Sequence, residues 1–211
     1  MTETAKLTAS DGVAGDDLGW SVAVLSDVIV SGAPNATVNS HEIAGAVYVF
    51  QKGPFAPWNS TTQTAKLTAS DAREFNVVGT DVAIAGNTIA VAGYTDLYAF
   101  TQSGTWTNST QTAELGDNSI YFGGFNSVAI CENFIVGGSP YGNKPKANIY
   151  MISNGWQNMS NPTNILPTPP NHGNGLFGWS AAVQGSTIVI GSETNGGAGG
   201  NILYVYTPSS S

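Results

Sequence analysis

Carboxylates, amides and aromatic rings are the groups in this sequence that can do chemistry. The chain has 14 acidic residues against 6 basic ones and 2 histidines. Many acids fall in segments rich in Gly, Asn and Ser: Asp11, Asp16, Asp17, Asp71, Glu74 and Asp117. Two carboxylates across a glycosidic bond can hydrolyse it, one as acid and the other as nucleophile or base. No spacing here singles out one such pair. His41 and His172 lie in different segments and lack the spacing of metal ligands. Neither a Gly-x-Ser-x-Gly elbow nor a phosphate-binding loop occurs. The sequence therefore predicts a protein that is not an enzyme and carries neither metal nor cofactor. A polysaccharide-active enzyme ranks third among the readings.

Binding chemistry is better represented. Tyr94, Tyr141, Asn143, Asn195 and His41, with Asp16 or Asp17, all sit in turn-rich segments. Tyr offers a flat apolar face with a hydroxyl, and Asn offers both donor and acceptor. That combination suits a hydroxyl-rich ligand or a polar protein surface. Asn-x-Ser/Thr triplets occur at Asn35, Asn59, Asn108 and Asn158, and each is a glycosylation acceptor in a host that modifies secreted proteins. In a chain this rich in Asn, Ser and Thr, such triplets also arise by chance.

The elements that must position these residues are repeated. Thr4-Ala5-Lys6-Leu7-Thr8-Ala9-Ser10-Asp11 returns at Thr64 to Asp71, and Thr112-Ala113-Glu114-Leu115 is a weaker third copy. Repeats of this length decide architecture before any single residue does. Four apolar hairpins line up, with two-residue turns at Ser26-Asp27, Gly86-Asn87, Glu132-Asn133 and Gly185-Ser186. The second run of each hairpin is apolar throughout, the pattern of a strand covered on both faces. A third strand follows each hairpin: Ala46 to Phe50, Leu97 to Phe100, Asn148 to Ile152 and Ile202 to Tyr206. A fourth follows three of them, at Thr64 to Thr68, Gln111 to Leu115 and Asn164 to Leu166. No helical period is visible.

The unit is a four-stranded antiparallel meander of about fifty residues, the size of a propeller blade. The expected fold is all-β: a four-bladed β-propeller in a single domain spanning 1–211. The blades cover roughly 18–69, 77–116, 122–167 and 176–206, the last completed by 3–9. The N-terminal strand then closes the last blade by pairing on its edge, which leaves no blade incomplete. The other possibility is a segment of a larger ring, cut at a repeat boundary.

The hairpin motifs resemble the FG-GAP repeat, the blade unit of the integrin α-subunit propeller and of many bacterial and algal secreted proteins. Phe177-Gly178 and Phe122-Gly123 match the FG element, and Leu18-Gly19 and Val78-Gly79 are degraded copies. Gly32-Ala33-Pro34 matches GAP and Gly138-Ser139-Pro140 nearly does. The resemblance spans almost the whole chain. Related blades often carry a DxDxDG calcium loop between the first two strands, but two-residue turns stand there in this chain. Calcium takes ~6–8 oxygen ligands, so no calcium is expected at those turns. Asp11, Asp16 and Asp17 are a weaker candidate set, with solvated acids as the plainer reading. Asp81 occupies a position held elsewhere by Ser21, Ser127 and Ser180, and reads as a hydrogen-bonded structural carboxylate.

Composition narrows the partners. Charged residues are 9% of the chain and the net charge is −8. An acidic surface without basic runs argues against nucleic acid and anionic membranes. No apolar stretch approaches a membrane span. The single Cys131 excludes an internal disulfide and reads as a small buried hydrophobe. No secretory signal is visible, which fits a cytosolic chain, a processed one or a segment of a longer one, the last two preferred. The location expected is extracellular or cell-surface.

In this topology, inter-unit loops and the loops joining strands two and three open on one face, and they are the long ones. Loops on a rigid scaffold are the usual home of binding residues. The opposite face carries Trp58, Trp106 and Trp156, each followed by Asn-x-Ser/Thr within two residues and read as caps on the sheets. The leading function is a non-enzymatic surface module that binds a glycan or protein through the loop-rich face. The alternative is a structural building block of a surface filament or appendage, with neighbouring copies as partners.

Overall fold

Turn chemistry and apolar runs set the strands. In the computed structural model, residues 2–118, 124–141, 144–152, 154–169, 175–194 and 202–207 are described. Short β1 (Leu7–Thr8) comes first. The first sheet contains β2 (Val22–Leu25), β3 (Val28–Ala33) and β4 (Ala46–Gln51); after the short β5 (Thr61–Thr62) comes its outer strand β6 (Ala65–Thr68). The second is β7 (Asp81–Ala85), β8 (Thr88–Ala92) and β9 (Leu97–Thr101), then short β10 (Ser109–Thr110) and outer β11 (Ala113–Leu115). The third is β12 (Ser127–Cys131), β13 (Phe134–Ser139), β14 (Lys146–Met151) and β15 (Asn164–Pro167). The fourth is β16 (Gly175–Gln184), β17 (Thr187–Thr194) and β18 (Ile202–Tyr206). No helix occurs among the described residues.

All four predicted hairpin turns fall between consecutive strands. Ser26, Gly86 and Gly185 take φ of 53°, 56° and 55°, the left-handed conformation that tight hairpins need. The second strands are well covered: β8 is buried along its whole length, and β3 and β13 over most of theirs. Both faces of these strands meet neighbours because the sheets stack in chain order. Innermost strands β2, β7, β12 and β16 lie side by side in that order.

Each seam between sheets is an apolar core. Val30, Val47 and Val49 of the first sheet meet Val82, Ile89, Tyr98 and Phe100 of the second. Ala92, Leu97 and Leu115 of the second meet Phe125, Ile135 and Tyr150 of the third. Val136, Ala147 and Ile149 of the third meet Phe177, Ile188 and Ile190 of the fourth. Trp106 and Trp156 are buried in the first two of these cores, and half-buried Trp58 packs on the free side of the first sheet with Tyr48 and Phe50. The tryptophans thus serve as caps.

The architecture is propeller-like and all-β, but the ring closure expected from strand counting is not present. β1 does not pair with β18. It runs parallel to β5, with Leu7 opposite Thr61 and Thr8 opposite Thr62. Among the described residues the fourth sheet has three strands, ending at β18. The repeated Thr-Ala-Lys-Leu strand has a second partner that counting does not reveal, on the edge away from its own sheet, and the stack does not bring β18, whose Leu203 and Val205 stay exposed, to the other edge of β1. β6 pairs parallel with β10 of the next unit, Leu67 opposite Ser109, as Leu7 pairs with Thr61. Gln111 receives the Ser70 amide at 2.8 Å and donates to Ser70 Oγ at 2.9 Å; Gln63 does the same to Ser10 at the same distances. The Asn-x-Ser/Thr segments therefore run along the outer rim as parallel partners of the preceding unit's outer strand.

Candidate functional site

Glycines of the two repeated motifs meet each other across the seams. The Gly79 amide donates to Ala92 O within its own sheet at 3.0 Å, and the chain turns there at φ 103°. This aims the Gly79 carbonyl at Gly32 of the preceding sheet, and a side chain at Gly32 would overlap that oxygen. Gly138 and Gly178 repeat the contact between the third and fourth sheets. A hydroxyl locks each: Ser21 Oγ donates to Gly79 O at 2.9 Å, and Ser127 Oγ to Gly178 O at 3.2 Å. The FG and GAP motifs are the two halves of one backbone-to-backbone joint.

Asp81 replaces the serine at the middle seam. Its Oδ2 accepts the Val128 amide of the third sheet at 2.8 Å, and its Oδ1 the Val82 amide at 3.0 Å. It is a structural carboxylate, as expected. Burial raises its pKa above the ordinary value, against the lowering effect of the two amides. A folded pKa above the unfolded one means that the folded state holds the proton more tightly. The stability Asp81 contributes is thus full below pH 3.8 and declines as pH rises through the raised value. Urea melts across that range should show wild type losing ground to Asp81→Asn as pH rises. A difference that grows in favour of wild type would refute this.

The acids of the loop-rich face are mostly held by latches. Tyr48 Oη donates to Asp11 Oδ1 at 3.0 Å, and Lys66 Nζ lies 2.6 Å from Asp11 Oδ2. Burial pushes the Asp11 carboxyl up, but the Lys66 and Tyr48 hydrogen bonds outweigh it and hold the pKa below 3.8. Tyr98 Oη donates to Asp71 Oδ1 at 3.4 Å, and Arg73 pairs with Asp71. Asp117 accepts from Asn148 Nδ2 at 2.6 Å and pairs with Lys146 at 2.6 Å, while Tyr150 Oη donates to Gly116 O. Each latch ties a linker acid to a third-strand tyrosine or its neighbour. Burial foremost raises the pKa of all three tyrosines and keeps their hydroxyls as donors.

The candidate ligand residues fare unevenly. Asp17 is joined to Asn35, whose Nδ2 donates to its Oδ2 at 2.6 Å. Asp16 is buried, and its Oδ2 accepts the Val13 amide. With Asp11 latched elsewhere, these three carboxylates do not converge. Among the described residues, no group of three or more His, Cys, Asp or Glu is placed to hold a metal ion. Exposed His41 bridges Val38 through its backbone. Asn143 and Asn195 lie outside the described residues. Of the triplet asparagines, Asn59, Asn108 and Asn158 are exposed; Asn108 Oδ1 accepts the Lys66 amide and Asn158 Oδ1 the Glu114 amide.

The remaining two form part of a series. Strand-two-to-three loops lean onto the start of the next sheet: Ile43 O accepts Val77 N, and Gly93 O accepts Phe125 N. Tyr94 is thus carried to the second seam, and Tyr141 to the third. There Tyr141 meets Trp179 edge-on, ring centroids 6.0 Å apart. Tyr94, Tyr141 and Trp179 are all exposed, as is Phe75 beside Glu42 at the first seam. Trp179 was missed by loop-based reading because it sits inside a strand; the signal was its place directly after Phe177-Gly178. An open cleft of ≈ 420 Å³ lies at the rim of the second seam, lined by Thr95, Asp96, Glu114, Asp117, Asn158 and Ser160. Burial, then Asp71 and Asp96, raise the Glu114 pKa.

No curated protein matches the chain. The FG-GAP repeat family pattern matches residues 1–50 and 61–105. Those stretches cover the first hairpin with its third strand and the equivalent part of the second sheet, and the same strand order and glycine joint recur in the rest of the chain. Over these two stretches the chain carries FG-GAP repeats.

Proposed function

We propose that this protein is a non-enzymatic binding module of an extracellular or cell-surface setting, and that it recognises a glycan or a protein through its loop-rich face. FG-GAP repeats are often extracellular binding modules and are generally non-enzymatic. The observation that carries the reading is the exposed Tyr141–Trp179 pair, one step in a row of aromatics at successive seams. Flat rings with a polar edge, held at the seams between sheets, suit the apolar faces and hydroxyls of a sugar or an extended polar peptide. Tyr94 belongs to the same row, and the sequence-derived ligand set extends it with His41, Asn143 and Asn195. Engagement of the loop acids in tyrosine and cation latches supports binding over catalysis. The triplets at Asn35, Asn59, Asn108 and Asn158 remain proposed acceptors for glycosylation.

A glycan array tests the reading, followed by titration of the strongest sugar hit. Trp179→Ala is expected to weaken that binding by about tenfold or more, with an unchanged melting temperature. Wild-type binding that survives Trp179→Ala and Tyr141→Ala together would rule this face out.

A further inference from the structure

The two ends of the sheet stack are the two halves of one more seam. On the leading side of the first sheet, Val22 is 68% exposed, while its equivalent in the second sheet, Val82, is 5% exposed. Facing away from the stack on the fourth sheet, Leu203 is 71% exposed, while its equivalent Val47 in the first sheet is 0%. Val205 repeats the contrast, 65% exposed against 0% for Val49, and Val24 is 68% exposed where its equivalent Ile84 is half-buried. These are core-type side chains without a neighbouring sheet.

The glycine joint shows the same incompleteness. A side chain at Gly32 or Gly138 would meet a serine hydroxyl and a glycine carbonyl from the next sheet. At Gly191 it would meet the Ser180 hydroxyl but no such carbonyl. Gly19 is the matching glycine of the first sheet, with φ 99° like Gly79 and Gly178, and nothing lies within 4 Å of where its side chain would be. Trp20 is exposed, whereas its equivalent Trp179 is met by a tyrosine of the preceding sheet.

β1 supplies the third sign. It holds, on the flank of the first sheet, the position that β6 holds on the flank of the second, with the same parallel pairing and the same glutamine clamp. It is therefore the outer strand of a preceding sheet whose other three strands are not its own neighbours. Among the described residues the fourth sheet has three strands and no outer one.

We propose that a second copy of this chain docks head to tail on these surfaces. The fourth sheet of one copy lies against β1 and the leading face of the other. Its Leu203 and Val205 cover Val22 and Val24, and Ser180 donates to the Gly19 carbonyl. Register follows from the first sheet, where Val47 pairs with Leu67 and Val49 with Ala65. In the docked pair Leu203 lies opposite Leu7 and Val205 opposite Ala5. Both halves of the seam are on every chain, so two copies satisfy each other twice. The interface is heterologous and closes on itself. It yields a ring of eight sheets, inside the usual range of about 4–8 blades.

Light scattering across a concentration series should give the mass of two chains. Antiparallel partners lie about 4.5–5.5 Å apart between Cα atoms, within disulfide reach. In a Cys131→Ala background, mixing Ala5→Cys chains with Val205→Cys chains and oxidising should give a linked pair. Leu203→Glu and Val22→Glu should each weaken the pairing by about tenfold or more. Both sites are exposed in the single chain, so its melting should be unchanged. A monomer at every concentration, with no linked pair, overturns the proposal. So does a chain carrying both cysteines that links to itself and stays monomeric, because its own fourth sheet then fills the site. A dimer whose mass survives Leu203→Glu also overturns it.

Discussion

Gly32→Ala is expected to destabilise the chain by about 3 kcal/mol or more. The new methyl would overlap the Gly79 carbonyl, which is backbone and is held by the Gly79 amide bond to Ala92 O. The contact is close from the other side too: a side chain at Gly79 would lie 2.9 Å from Ala46 O and 3.1 Å from the Gly32 Cα. Relief requires the first two sheets to separate, which exposes Val30, Val47 and Val49 on one side and Val82 and Val91 on the other. Overpacking a rigid interior costs ~1–3 kcal/mol when side chains can shift, and here backbone must shift. Gly53→Ala is the control: its nearest neighbour would be Ala56 Cβ at 3.9 Å, in ordinary contact, and its effect should stay within about 0.5 kcal/mol. Chemical denaturation of the two variants checks both. A Gly32→Ala chain as stable as Gly53→Ala would show that the joint does not hold the seam.

Tyr98→Ala is the second large effect, a loss of about 3–5 kcal/mol. The ring is fully buried in the first seam with Phe100 and Trp106. The hydroxyl carries a separable part. It accepts from Asn76 Nδ2 at 3.0 Å and donates to Asp71. Asn76 is itself buried, so Tyr98→Phe strands its amide and should cost about 1–3 kcal/mol. Tyr48→Phe makes the informative comparison. The residue holds the same repeat position, but its hydroxyl donates to Asp11, a side chain that is 47% exposed. Water can replace that bond, so the cost should be under about 1 kcal/mol. Melting temperatures of the two Phe variants test the contrast. Equal losses would mean that burial of the partner is not what sets the cost.

Much of this was readable in the chain. The apolar runs and their two-residue turns fixed the hairpins, because a strand covered on both faces must be apolar throughout and a tight turn needs Gly, Asn, Asp or Ser. Phe177-Gly178, Gly138 and Gly32 were legible as members of two repeated motifs, but that the two motifs meet in a joint is visible only in the structure. Asp81 was legible as a structural carboxylate from its place in a series of serines.

The residues around the joint were harder. Trp179 was hidden because a strand residue gives no hint of exposure until its neighbours are placed. Asp11, Asp71 and Asp117 read as free loop acids, yet their partners, Tyr48 for the first, Tyr98 for the second and Asn148 with Lys146 for the third, stand on strands that only sheet formation brings beside them.

The sequence by itself determined the repeat, the strand order within each unit and the glycines of each joint. These follow from local chemistry: turn propensity, alternation and the absence of a side chain. Only the tertiary structure decided where the first strand goes and whether the ends meet. The Gln63 clamp and the packing of Leu7 and Ala9 on the first sheet hold β1 beside β5 and leave its other edge open, as the edge that β6 gives to β4. Whether β18 reaches that edge is set by how the four sheets pack side by side, and strand counting along a chain carries no information about that.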